Sequence, residues 1–417
     1  MKNNVKKLLC AALSTAMIAG SIVLPMTASA ETTPIFDGDT VEQEWKFDFG
    51  AAGTDAEDGY TLVTPDTNYV TNKEYGFLGI DVDSYKLGNR LDGFGNQKGQ
   101  AIKLKAGGGT GLNDAIGSVG EDSFGNAGDV YYPTRFALKA DDEAYYRVRA
   151  TVTTLDTTKD AEISLYTERK HPIFTDTKVE AGQTKTVEFS VRPTPIYYEK
   201  SEPKGTIADG MVNVCVAGKN SAIASIEIQK VQEYPVFWVL GDSTVTDGNC
   251  SLPFFRLQNY TGVGTGLTKY LPRNYAMVNE GEGGLNAADN YHFNMVKDRI
   301  KAGDYLYVEY GHNHKSDGPT GYVSNLDKYY NACHSVGATL VIVSPIERIN
   351  TFTDGAYQHT LDGFATAGAK YVADKVTAGA TDIAYVDLNS YSLDFYNKIT
   401  TDNGGDSGAI KFYFQTA

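Results

Sequence analysis

The chain has 417 residues and a formal net charge of −15. An acidic balance of this size excludes nucleic-acid binding through a general electrostatic field. Four cysteines are too few for a disulfide framework.

The first thirty residues read as a secretory signal peptide. Lys2, Lys6 and Lys7 make a basic start, residues 8–24 are largely apolar, and Ala28-Ser29-Ala30 is a small-residue cleavage site. Ser, Thr and Gly interrupt the apolar run too often for a good membrane-spanning helix. Cys10 lies inside that run rather than at the cleavage point, so it does not mark a lipid anchor. The expectation is an exported, extracellular protein with no membrane partner, starting near Glu31. Taking the three leader lysines from −15 leaves −18 on the mature chain. Its cysteines are then Cys215, Cys250 and Cys333, which leaves room for one Cys250–Cys333 bridge. There is no CxxC pair and no HExxH, so no zinc site is expected.

Residues 31–233 read as an all-β sandwich. The stretches 144–153 (AYYRVRATVT), 161–166, 185–191, 211–217 and 222–230 alternate or are rich in β-branched residues. Gly, Asp, Asn and Pro clusters separate them at short intervals. Asp81-Val-Asp83 is a slight hint of calcium. The chain's 28 tyrosines offer stacking surfaces, but a purely packing role is the default reading.

Residues 231–235 form a short linker, and from 234 to 417 the grammar changes. Strand-like runs at 236–240, 275–279, 304–310, 338–344 and 381–387 alternate with helix-like stretches. In 322–336, Val323, Leu326, Tyr330, Cys333 and Val336 fall at helical spacing before Gly337, and a further helix is expected from His359. This βαβ alternation predicts an α/β three-layer domain of flavodoxin-like strand order, with a parallel sheet covered on both faces.

Ligands of such a sheet bind beyond the carboxyl ends of its strands. Three polar motifs are expected there: Gly241-Asp242-Ser243-Thr244 after the first strand, residues 279–284 (NEGEGG) after the second, and Gly311-His312-Asn313-His314 after the third. Each alone is an ordinary turn or cap. In this order, each behind a strand, they offer a nucleophile and converging donors.

The residues Gly241-Asp242-Ser243, Gly284 and Gly311-His312-Asn313 resemble the first three blocks of the SGNH (GDSL-type) hydrolases. The Gly-Asp-Ser-Thr and Gly-His-Asn forms, with residues 341–348 (VIVSPIER), resemble the rhamnogalacturonan acetylesterase branch. Residues 46–50 (KFDFG) and 74–77 (EYGF) look like the β-sandwich that often precedes such a domain. The resemblance implies a secreted esterase that removes acetyl groups from an acetylated plant cell-wall polysaccharide, with no metal and no cofactor. Ser243 would be the nucleophile; its own N–H, that of Gly284 and the Asn313 side chain would bind the oxyanion. Asp242, Thr244, His312 and His314 would line the substrate. Acetylxylan or another O-acetyl sugar is the alternative substrate, and a non-catalytic polysaccharide-binding protein is the alternative class.

Two departures stand out. The family's Asp-x-x-His block is absent from this sequence, and the reading is of a chain cut before its acid–base pair. His314 stands where the family usually has Asp, with a substrate contact as the first expectation and a substitute base as the second. Of the other histidines, His171 belongs to the β half, and His292 and His334 read as surface or packing residues.

Overall fold

In the computed structural model the described residues are 32–72, 74–78, 102–108, 114–122, 133–168, 171–197, 206–207, 210–247 and 262–412. The leader, Asp81, Asp83, Cys250 and residues 413–417 lie outside them. Met1–Thr33 is one unit and Pro34–Ala417 another; everything below concerns the second.

The protein is a mixed α/β chain with several sheets. Its first half is mainly antiparallel, apart from a short parallel pairing of Phe47–Phe49 with Thr61–Val63. Val41–Phe49 pairs with Ser221–Val231, which pairs in turn with Tyr145–Thr154 and so with Thr184–Val191. A second sheet holds Tyr75–Phe77, Thr134–Lys139, Met211–Ala217, Ala161–Thr167 and His171–Val179 in that spatial order. Period-2 alternation explains the packing: Tyr146, Val148, Ala150 and Val152 point inward from one strand while Arg149 and Thr151 point away. One apolar cluster draws on both sheets, with Phe47, Phe49 and Ile226 from the first and Phe136, Leu165 and Val214 from the second. The Phe136 ring sits 4.8 Å from Phe47 and 5.1 Å from Phe49.

The second half carries five parallel strands: Val236–Gly241, Ala276–Asn279, Tyr305–Glu309, Thr339–Val343 and Ile383–Val386. Numbered along the chain, their order across the sheet is 2-1-3-4-5, with every pairing parallel. The first four strands are largely buried and read as near-continuous apolar runs, while Ile383–Val386 is half exposed at the sheet edge. Trp238, Leu240, Leu306, Val308 and Ile342 pack toward Phe293, Tyr329, Cys333 and Phe364. Val239, Tyr307 and Val343 pack on the other face toward Val245, Val263 and Leu388.

Two expectations are corrected. The helix read over 322–336 is two, Gly318–Ser324 and Leu326–Val336, meeting at Asn325, whose side chain reaches back to the Gly321 carbonyl. Gly337 ends it as expected, at φ 80. The helix expected from His359 runs Asp362–Thr377, because the N–H groups of Thr360 and Leu361 are taken by the Glu347 carboxylate. Cys333 is buried in the apolar cluster beneath the sheet, and the bridge expected with Cys250 falls outside the described residues.

The antiparallel half bears directly on the parallel sheet. Arg147 reaches the Asn274 carbonyl at 2.9 Å, and Arg299 joins Glu143 of the first half to Glu280 of the second. The guanidinium groups of Arg192 and Arg299 lie over the Trp238 ring, 4.9 and 4.8 Å from its centroid.

Candidate functional site

Three loops leave the carboxyl ends of the first three parallel strands and meet. The first begins at Gly241, where a Cβ would lie 2.5 Å from the Glu309 carbonyl oxygen of the neighbouring strand. Only glycine allows that approach. Asp242 then folds its Oδ1 back onto the Thr244 N–H and hydroxyl, at 3.0 and 2.8 Å, a turn that leaves Ser243 at its apex.

The second loop runs beside the first. The Glu280 N–H donates to the Val239 carbonyl and the Glu282 N–H to that of Gly241. A Cβ on Gly283 would sit 3.6 Å from the Ser243 Cβ, so this loop packs on the serine. Gly284 has φ 86, in the left-handed region where glycine is unstrained.

The third loop closes the set. The Asn313 side-chain amide donates to the Leu285 carbonyl at 2.8 Å, one residue beyond Gly284. An amide nitrogen has two hydrogens, so this bond orients the group and leaves one hydrogen to give. The structure therefore brings the loops of Ser243, Gly284 and Asn313 together at one end of one sheet.

The two histidines of the third motif are both engaged. His312 Nε2 lies 2.8 Å from the Ile346 carbonyl, which fixes that nitrogen as a donor. His314 Nε2 accepts the Ala287 N–H at 2.9 Å, so its proton is on Nδ1, which faces Asp317 Oδ1 at 3.0 Å. The His314 side chain is fully buried, and neither ring nitrogen is left for a substrate. Its geometry is that of a pin between the second and third loops. His292 is buried against Asp289, and the exposed His334 pairs with Asp382.

Several site residues escaped the sequence reading. Asp247, a few residues past Ser243, receives Thr265 and Asn279 on Oδ1 and faces His171 on Oδ2. Asn279 also donates to the Val245 carbonyl and accepts the Gly281 N–H, so it ties the first loop to the second. Glu309, the last residue of the third strand, is buried beneath Thr244, its Oε1 2.9 Å from the threonine hydroxyl. Burial is the largest reason its carboxyl is pushed up to about 8, with the Asp242 charge next. Glu347 is opposite in sign. Burial raises it, but hydrogen bonds led by Thr360, Arg348 and Leu361 outweigh that and hold it below the usual range. The signals were present as acidic residues at strand ends, but only the fold shows which are buried.

Among the described residues no group of three or more His, Cys, Asp or Glu side chains is arranged to hold a metal ion. None of their helices is long and apolar enough to cross a membrane.

No protein-family model and no curated protein matches the chain. Solved structures do. The Bacillus subtilis protein YxiM is 19% identical, over 86% of this chain and 88% of its own, with a TM-score of 0.36. A family two carbohydrate esterase from Clostridium thermocellum, solved with cellohexaose, is 10% identical over 65% and 93%, at 0.28. The acetylxylan esterase Axe2 of Geobacillus stearothermophilus is 17% identical over 39% and 79%, at 0.29.

Proposed function

We propose that this chain is a secreted serine esterase of the SGNH type that removes acetyl groups from pectic rhamnogalacturonan. In this reading residues 234–417 are the hydrolase domain, flavodoxin-like in layering, and the antiparallel half is a β-sandwich that carries it. The observation that supports it most is the meeting of three loops: Gly283 packs on Ser243 while Asn313 is held against Leu285 beside Gly284.

The chemistry follows from charge. Attack of Ser243 Oγ on the acetyl carbonyl puts a full negative charge on oxygen, and fixed donors stabilise it without reorganising. Those donors are the backbone N–H groups of Ser243 and Gly284 and the second hydrogen of the Asn313 amide. Collapse of the intermediate releases the sugar hydroxyl and leaves acetyl on Ser243, and water then frees acetate. A serine hydroxyl needs a base for the first step. His314 has both ring nitrogens engaged, so it does not take that role as placed. Asp242 and Thr244 shape the serine turn, His314 positions the loops, and His312 borders the substrate.

The test is acetate release from acetylated rhamnogalacturonan and acetylated xylan, by wild type and Ser243→Ala, with and without added imidazole as an external base. Release from the pectic substrate that Ser243→Ala abolishes supports the reading. Preference for xylan moves the substrate, and binding without Ser243-dependent release makes the chain a polysaccharide binder.

A further inference from the structure

A hydroxyl owns one hydrogen. Thr244 Oγ1 nevertheless lies 2.8 Å from Asp242 Oδ1 and 2.9 Å from Glu309 Oε1. With both carboxyls ionised, one of those two contacts would set lone pair against lone pair. Both acids are fully buried, and Asp242 Oδ2 has no hydrogen-bond partner. A second full charge in that place is strongly disfavoured.

We propose that Glu309 is a neutral carboxylic acid and a positioning residue for the nucleophile turn, donating from Oε1 to Thr244 Oγ1, which donates in turn to Asp242 Oδ1. The other contacts fit this direction. Tyr307 donates to Glu309 Oε2 at 3.1 Å, and the Ile346 N–H reaches Oε1 at 3.1 Å, on its remaining lone pair. The Thr244 N–H gives Asp242 Oδ1 a second donor at 3.0 Å. One stored proton thus stitches the ends of the first and third strands together under Ser243.

The surroundings make Glu309 the group that titrates. Tyr307 beside it, Tyr322 from Gly318–Ser324 and Tyr396 from Leu388–Asp402 all bear on it, and burial holds each above the usual tyrosine range. Glu347 turns away to Thr360 and Leu361, and Arg348 to the His312 carbonyl. Asp242 is the charge that weighs most on it, after burial, and together they raise its carboxyl to about 8. The unfolded chain releases this proton near the ordinary value of 4.5. The sign follows: Glu309 contributes its stability fully below that value and loses it as pH rises through about 8.

The experiment uses the full chain and compares wild type with Glu309→Gln, whose amide can donate to Thr244 but cannot ionise. Urea unfolding is followed from pH 5.5 to 9, with infrared difference spectra of the carboxylic-acid carbonyl band at pH 6. Relative to Glu309→Gln, the wild-type unfolding constant should rise about tenfold per pH unit up to about 8, the slope of one proton. The wild type should also show a carboxylic-acid band that the variant lacks. Glu309→Met, uncharged and of similar length, gives the same comparison should the amide not fold. Parallel pH profiles or the absence of a difference band would overturn the proposal. Neither readout uses turnover, so it stands or falls independently of the esterase reading.

Discussion

His171 Nε2 lies 2.9 Å from Asp247 Oδ2, a buried pair that reaches from a strand of the antiparallel half to the loop of the candidate nucleophile. Asp247 passes the contact on to Asn279, and Asn279 to the backbone of Val245 and Gly281. The two loops that face each other at Ser243 therefore share one polar anchor, and its far end belongs to the other half of the chain.

Removing His171 takes one hydrogen bond from a buried carboxylate that keeps Thr265 and Asn279 on its other oxygen. His171→Ala should cost about 3 kcal/mol of unfolding free energy, while His171→Gln, which can still donate to Asp247, should recover part of it. Urea denaturation of both variants measures this. Equal losses would mean that the pair adds no hydrogen bond of value.

Asn313 is expected to act on turnover rather than on folding. Asn313→Ala deletes one oxyanion donor, and loss of such a donor lowers turnover by about 10²–10³. Acetate release at saturating substrate gives the number, with KM close to unchanged. A proportional rise in KM at constant turnover would assign Asn313 to substrate binding instead.

His314 should behave as a pin. His314→Ala strands the buried Ala287 N–H and should cost about 1–3 kcal/mol in stability. His314→Gln, with an acceptor at similar reach, should restore much of it. A variant that folds as stably as wild type but loses all Ser243-dependent turnover would make this histidine the base.

Glu347 sets an acid limit. Its folded carboxyl lies below the ordinary value of 4.5, since hydrogen bonds outweigh burial. The stability it contributes is therefore present above that value and lost as pH falls through the depressed folded one. Glu347→Gln should flatten the acid side of a melting-temperature profile and leave the side above neutrality unchanged.

Much of this architecture was legible because backbone periodicity is written locally. The run 211–217 and the strand Met211–Ala217 coincide, and the five parallel runs differ from the observed strands by no more than a residue or two at each end. The glycines were legible too: Gly241 meets the Glu309 backbone, and Gly284 takes a positive φ. What could not be read is set by distant partners. His171 precedes Asp247 by 76 residues and Glu309 follows Thr244 by 65. His314 read as a substrate contact because the ring alone does not reveal that Ala287 and Asp317 occupy both nitrogens. The start of the helix at Asp362 rather than His359 depends on Glu347, on the far side of a short hairpin.

The central claim is that Ser243 becomes acylated, and mass spectrometry of the rapidly quenched chain tests it most directly. After mixing with an activated acetyl ester, the account predicts one acetyl group on the peptide containing Ser243. That adduct should be absent from Ser243→Ala and strongly reduced in Asn313→Ala. Acetate release without any Ser243 adduct, unchanged in Ser243→Ala, would contradict it.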